Sequence, residues 1–279
     1  MIYEIKNNTI YVYDKSQFNP KHILECGQVF RFGKDENDNY YVISKDQKAT
    51  IVDTEPCYEI HSTSAYYFAK YFDLDTDYNQ IKTILKSNPV IAPMIEFGHG
   101  IRILNADPTE MIFSFIISQN NNISRIQKII DKLCQIGTQK DGFKAFPTLE
   151  QLKAQPLEFY QSLGAGYRDK FLKETADFLS ADIINQAITY DTDTLLKWLN
   201  SLKGIGPKVA SCISLFGFAR KNKFPVDTWN EQSYYNHFSN EKRTRPQIQA
   251  YFENEFKDYS GIAQQYIFYF EREQKNKDK

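Results

Sequence analysis

Lys208 follows directly on Leu202-Lys203-Gly204-Ile205-Gly206-Pro207, and this spacing places its amine in the first turn of a helix that starts at Pro207. There the positive helix end, together with any desolvation, disfavours an ammonium and is expected to lower the amine pKa. A neutral lysine amine is a nucleophile that can form a Schiff base. Nineteen residues on, Pro225-Val226-Asp227 offers a carboxylate after a short loop. If the chain folds back, Lys208 and Asp227 supply a nucleophile and an anion able to stabilise a sugar cation. Two plainer readings use the same spacing: a lysine that is solvated or touches phosphate, and an aspartate that only caps the next helix.

The elements that must position this pair are two helices, Thr194 to Ser201 and Pro207 through about Ala219, joined by a tight Gly-x-Gly hairpin. Gly204 and Gly206 permit left-handed or closely approached backbone, and Pro207 suits a first helical turn. Amides at such a turn have no intrahelical partner, so the hairpin can cradle a phosphate without reading sequence. Five basic residues (Lys203, Lys208, Arg220, Lys221, Lys223) and no acidic one lie between Ser201 and Val226. A local basic face is one reading of that run, and a solvated helix end is the other.

Upstream, TIYVY (9–13), QVFRF (28–32), NYYVI (39–43) and ATIVD (49–53) read as short antiparallel strands, with the turn signal GKDENDN at 33–39. After Tyr66 the spacing becomes helical and stays so. Asp107-Pro108-Thr109-Glu110 is a helix start, and MIFSFII (111–117) predicts a helix buried on most sides. Ser118 to Asn122 interrupts it with a polar cluster. Helical spacing then resumes at Ile123 and runs to a stop at Gly137.

Composition narrows the class. The 279 residues are 42% hydrophobic and 25% charged, with 34 Lys plus Arg against 35 Asp plus Glu. The length allows a sizeable core without disulfides or structural metal. No apolar run approaches the roughly 18–20 residues needed to span a bilayer, and residues 1–8 lack the apolar stretch of a secretory signal. A cytoplasmic protein is expected, nuclear if eukaryotic. Cys26, Cys57, Cys134 and Cys212 are too dispersed for a zinc or iron-sulfur set, so free thiols and no metal are expected.

LKGIGPKVASCISLFGF followed by FPVDTWN resembles the helix-hairpin-helix and Pro/Val/Asp loop of the DNA base-excision glycosylases. A lysine at position 208 points to bifunctional members. ECGQVFRF (25–32), GIRILNADPTEMIFSFIISQNNNISRI (100–126), LGAGYRDKF (163–171) and YSGIAQQYIF (259–268) are similar to one branch, the 8-oxoguanine DNA glycosylases. The match is collinear from about Glu25 to Arg272.

The resemblance implies that Lys208 attacks C1′ of the damaged nucleotide and later drives β-elimination, while Asp227 stabilises the oxocarbenium ion. It implies that the flipped base meets the Gly27 carbonyl through an N7–H that guanine lacks. Cys212 and Phe268 would sandwich the purine, and Gln264 would bond its Watson-Crick edge. Asn120 would fill the vacated space, Arg125 and Arg168 would read the orphaned cytosine, and Tyr167 would act as a wedge. Many relatives carry His at the position of Trp229, paired with an acid where this chain has Glu271, and Asp where it has Ser211. Trp229 is therefore expected to pack on the strand or in the core.

The expected fold class is α+β: an N-terminal antiparallel β-sheet domain and an α-helical helix-hairpin-helix glycosylase body of two subdomains. Residues 1–105 form the sheet domain, with helices from about 62 joining the body; 106–223 form a helical domain with the hairpin at 194–219; and 224–279 return to the first helical subdomain. The expected partner is double-stranded DNA containing 8-oxoguanine, bound by a monomer, with no membrane and no cofactor. A structural monovalent cation at the hairpin fits the same resemblance. Two rivals are a monofunctional glycosylase for alkylated bases, using Asp227 alone, and a non-catalytic DNA-binding module.

Overall fold

The structure is a computed structural model and describes residues 2–277. Six strands, β1 (Tyr3–Lys6), β2 (Thr9–Val12), β3 (Phe32–Lys34), β4 (Tyr40–Ser44), β5 (Gln47–Asp53) and β6 (Tyr58–Ser62), form one antiparallel sheet in the order β1-β2-β6-β5-β4-β3. Register follows the pleat. Ile10 pairs with Ile60 and Ile60 with Ile51, while Val42 pairs with Ala49. These side chains, at period two, form the buried face.

The segment 28–31, expected to be strand, is irregular, and β3 begins only at Phe32. Its polar side chains explain why. Gln28 is fully buried and donates to the carbonyls of Ile23 and Arg102 (2.9 and 2.8 Å), while its oxygen accepts from the Leu104 amide at 2.9 Å. Arg31 donates to the carbonyls of Lys45 and Lys144. Long-range side-chain bonds thus hold what strand pairing does not.

Helices follow in chain order: α1 (Pro20–Leu24) before β3, then α2 (Ala65–Tyr71), α3 (Tyr78–Leu85), α4 (Ala92–Phe97), α5 (Pro108–Ser118) and α6 (Ile123–Leu133). A small hairpin, β7 (Gln139–Lys140) and β8 (Phe143–Lys144), precedes α7 (Leu149–Lys153), α8 (Leu157–Ser162), α9 (Asp169–Phe178), α10 (Ala181–Thr189), α11 (Thr192–Ser201) and α12 (Pro207–Gly217). The chain ends with α13 (Thr228–Ser233), a π-helical turn (Tyr234–Phe238), α14 (Arg245–Phe256) and α15 (Ser260–Lys277).

Helix α5 starts as its sequence predicts: the Asp107 carboxylate accepts from the Glu110 amide at 3.0 Å. Met111 to Ile117 are all buried, and α5 packs on α6, α9 and α12. It is the central rod of the body. Glu110 is buried with it, accepts from the Lys45 amide at 2.9 Å and faces Arg31 at 3.7 Å, which ties α5 to the sheet domain. Burial pushes the Glu110 carboxyl up to about 7, with Arg31 opposing the rise. All four cysteines are free and buried.

Candidate active site

Helices α11 and α12 are joined by Leu202 to Gly206, so the helix-hairpin-helix forms where its glycines predict. Gly204 has φ +83°, and a Cβ there would stand 2.4 Å from the Phe171 ring. Its carbonyl accepts from Gln119 Nε2 at 2.9 Å, which ties the hairpin to the end of α5. Gly206 is the α12 N-cap in extended backbone, with no side-chain cap, and a Cβ there would meet nothing within 4 Å. The first turn of α12 thus opens its amides outward.

Lys208 sits in that turn. Its residue surface is exposed, and its strongest electrostatic neighbour is Cys212, one helical turn on. The amine is held above the ordinary lysine value, first by the Cys212 sulfur and then, against desolvation, by the Asp227 charge. This reverses the depressed value expected from the helix end. The Cys212 sulfur and the Asp227 charge together outweigh desolvation. Burial in turn pushes the Cys212 thiol up, and Lys208 opposes that rise.

Asp227 serves two roles at once. It caps α13, accepting from the Asn230 amide and from Asn230 Nδ2, both at 2.9 Å, and its charge reaches Lys208. The plainer reading of a capping aspartate is therefore true and compatible with the chemical one. Asn230, fully buried, fixes the carboxylate and was not singled out from sequence. The Asp-x-x-Asn spacing, a polar side chain three residues after a cap, was the available signal.

The other wall comes from α15 and the loop before β3. Gly27 has φ +81°, and a Cβ there would stand 3.4 Å from the Phe268 ring and 3.7 Å from Arg272 Nη1. The two preceding carbonyls are held by α15: Arg272 Nη2 donates to Glu25 O at 2.6 Å and Gln265 Nε2 to Cys26 O at 2.5 Å. The Gly27 carbonyl takes no hydrogen bond among the described residues. Gln264 is buried with its side-chain oxygen unpartnered, and Phe268 is half-buried one turn further on. Gly261, three residues before Gln264, packs so close to Leu215 that a Cβ would stand 2.4 Å from it. Leu215 is three residues past Cys212, so α15 brings the Gly27 wall beside the Lys208 wall.

A third cluster forms at the α5–α6 turn. Asn120 is exposed with φ +45°, and its Nδ2 reaches the Tyr167 hydroxyl at 3.4 Å. Tyr167 is 54% exposed, which leaves a large ring in water at the turn that Asn120 occupies. Arg125 is exposed and donates to Gly164 O at 3.2 Å. Arg168 is buried beneath them, stacked on Tyr167 and donating to the carbonyls of Ala165, Gln119 and Asn120. In this arrangement Arg168 braces the turn and does not project from it.

Two further expectations meet detail. Trp229 is half-buried, with Lys275 of α15 over its ring at 5.2 Å. Glu271 finds its histidine elsewhere: His237 Nε2 lies 2.8 Å from its carboxylate, eight residues past Trp229. The basic run does not form a free face. Lys221 pairs with Asp73 at 2.5 Å, Lys223 with Glu253 at 3.5 Å and Lys203 with Glu174 at 2.7 Å, while Arg220 is spent on the carbonyls of Ile188 and Tyr190. Those charges hold helices together.

A lysine-bearing hairpin, an aspartate loop capping the following helix and an N-terminal sheet closing the far wall make up the helix-hairpin-helix base-excision glycosylase fold. Residues 10–112 match the family model for the 8-oxoguanine DNA glycosylase N-terminal domain. The structure superposes on the 8-oxoguanine glycosylase/lyase of Clostridium acetobutylicum, solved with double-stranded DNA containing cytosine opposite 8-oxoguanine, with TM-score 0.91, 32% identity and 99% of each chain covered. The chain belongs to the 8-oxoguanine DNA glycosylase/lyase family. The N-glycosylase/DNA lyase of Saccharomyces cerevisiae is 31% identical over 77% of this chain and 66% of its own length. That of Arabidopsis thaliana is 29% identical over 66% and 55%. The chain thus spans a little under two thirds, or less, of these curated relatives.

Proposed function

We propose that this protein removes 8-oxoguanine opposite cytosine from duplex DNA and then cuts the strand at the resulting site, as a DNA glycosylase and lyase of base-excision repair. Once Lys208 has lost its proton, its amine attacks C1′ and the glycosidic electron pair leaves with the base. Asp227 faces the positive charge that develops on the sugar. Opening of the sugar ring gives the Schiff base, and loss of a C2′ proton expels the 3′ phosphate.

Selection follows from one acceptor. The Gly27 carbonyl is unengaged, so it welcomes the N7–H of 8-oxoguanine and repels the N7 lone pair of guanine. Phe268 and Cys212 stack on the purine, and the buried, unpartnered oxygen of Gln264 awaits its edge. Asn120 and Tyr167 fill the gap left by the flipped nucleotide. Arg125 and Arg168 read the orphaned cytosine, the latter by leaving its carbonyl partners.

The amides around Gly204 and Gly206 hold the backbone. Trp229, braced by Lys275, lies beside the strand. The scheme uses no cofactor, and the hairpin carbonyls are where a structural monovalent cation would bind. The protein acts as a monomer on DNA in the cytoplasm, or in the nucleus of a eukaryote. Among the described residues no helix is long and apolar enough to cross a membrane.

The observation that carries this reading is the placement of Lys208 between Cys212 and Asp227. It is tested by incubating wild type and Lys208→Gln with a duplex carrying one 8-oxoguanine opposite cytosine, with and without borohydride. Wild type should yield a cut strand and a trapped adduct, and the variant neither. A base-free strand without trapping would favour the alkylated-base glycosylase mechanism. No product from wild type would leave only a DNA-binding module.

A further inference from the structure

Helix α15 carries two stripes, not one. Gln264 and Phe268 face the base site, whereas Gln265 and Arg272, two turns apart on the adjoining face, hold the loop that carries Gly27. We propose that Arg272, with Gln265, is a specificity-positioning pair. By fixing the carbonyls of Glu25 and Cys26 it sets where the next carbonyl, that of Gly27, stands against N7 of the purine. This inference rests on the function proposed above and names the residues that set its selectivity.

Three observations support it. The guanidinium bonds the Glu25 carbonyl at 2.6 Å and lies over the Phe268 ring at 5.3 Å, so one group joins the reading loop to the stacking ring. A charge-assisted bond on one side and a cation over a ring on the other fix their spacing. Second, the Gln28 side chain pins the same loop to Arg102 and Leu104, so the chain is held on both sides of Gly27. Third, Arg272 Nη1 is buried with no hydrogen-bond partner among the described residues. Packing alone does not favour a buried guanidinium with an unmet donor, and such a group calls for a functional explanation.

The side chain also contacts Glu273 at 2.9 Å, and that contact does not reach the loop. A purely structural arginine would weaken the whole protein when removed. A specificity-positioning arginine alters the ratio between two nearly identical duplexes.

The test compares equilibrium binding of duplexes carrying 8-oxoguanine or guanine opposite cytosine, in the Lys208→Gln background so that no base is lost. Adding Arg272→Met, which keeps length and removes donors, should lower the preference for 8-oxoguanine ~10-fold, the scale of one charge-assisted hydrogen bond. Affinity for the guanine duplex should stay put. Arg272→Lys, which keeps a donor and a charge, should recover part of the preference, and Gln265→Leu should lower it less than Arg272→Met. An unchanged ratio, or equal loss for both duplexes, overturns the proposal. If Lys208→Gln alone shows no preference, the 8-oxoguanine reading itself fails first and the positioning role goes with it.

Discussion

The two glycines of the hairpin are expected to fail in opposite ways when given a methyl group. At Gly204 an alanine would be forced into φ +83° with its Cβ 2.4 Å from the Phe171 ring. The left-handed backbone costs roughly 1–2 kcal/mol and overpacking roughly 1–3 kcal/mol, for a total of about 2–5 kcal/mol. At roughly 2–4 °C per kcal/mol for a chain of this size, Gly204→Ala should lower Tm by roughly 4–20 °C. Gly206, with φ −90° and ψ 175°, lies where any residue can sit, and its Cβ would meet nothing. Gly206→Ala should therefore shift Tm by only about 2 °C or less, since the smaller unfolded-state entropy offsets the weaker cap. Its methyl would stand in front of the outward amides, so duplex affinity at one fixed salt concentration should fall ~10-fold, for damaged and intact DNA alike. Melting curves and fluorescence anisotropy on the two purified variants decide the matter. Wild-type affinity in Gly206→Ala would refute the phosphate cradle, and an unshifted Tm in Gly204→Ala would refute the steric argument.

Three further outcomes are expected. Gly27→Ala, strained at φ +81° and placing a methyl 3.4 Å from Phe268, should slow excision of 8-oxoguanine by ~10-fold or more while scission of a preformed abasic site falls far less, as single-turnover assays on the two substrates would show. Asp227→Asn keeps a good helix cap, so its Tm should stay near wild type while base excision drops by about 10²–10³; equal activity would remove Asp227 from the chemistry. Glu110 keeps its proton up to about 7 in the folded chain but loses it near 4.5 when unfolded. The folded state therefore binds more protons between those values, and this group's contribution to stability declines as pH rises through that window. Denaturant melts of wild type and Glu110→Gln from pH 4.5 to 7 should show that decline in wild type and a flatter course in the variant.

Local signals were legible because local physics produces them. Asp107-Pro108-Thr109-Glu110 starts α5 through its own cap, and Gly204 and Pro207 shape the hairpin within six residues. Gln28 to Arg31 misled because a short β-branched and aromatic run resembles a strand, while the bonds that decide the matter run to Arg102 and Lys144, far along the chain. The basic run after Ser201 misled similarly, since its partners lie on distant elements: Asp73 in the turn after α2, Glu174 on α9 and Glu253 on α14. For Lys208 part of the information was present: Cys212 stands at i+4, one turn away, and its sulfur is the largest influence on the amine, whereas the Asp227 charge arrives from another element. Gly27 could be marked as a glycine of interest, but not the two α15 side chains that clamp the carbonyls before it.

Gln265 meets Cys26 across 239 residues of sequence. On a ribosome that contact forms only after α15 has emerged, long after the hairpin and Lys208 have left the exit tunnel. Closing so long a loop is slow, and it comes late by necessity. On the function proposed above, a growing chain therefore presents Lys208 for some time before the loop that would tell a damaged purine from a sound one is clamped. Because the unfinished wall is also where Phe268 lies, the purine seat and the clamp on its reading loop are completed together, by one helix.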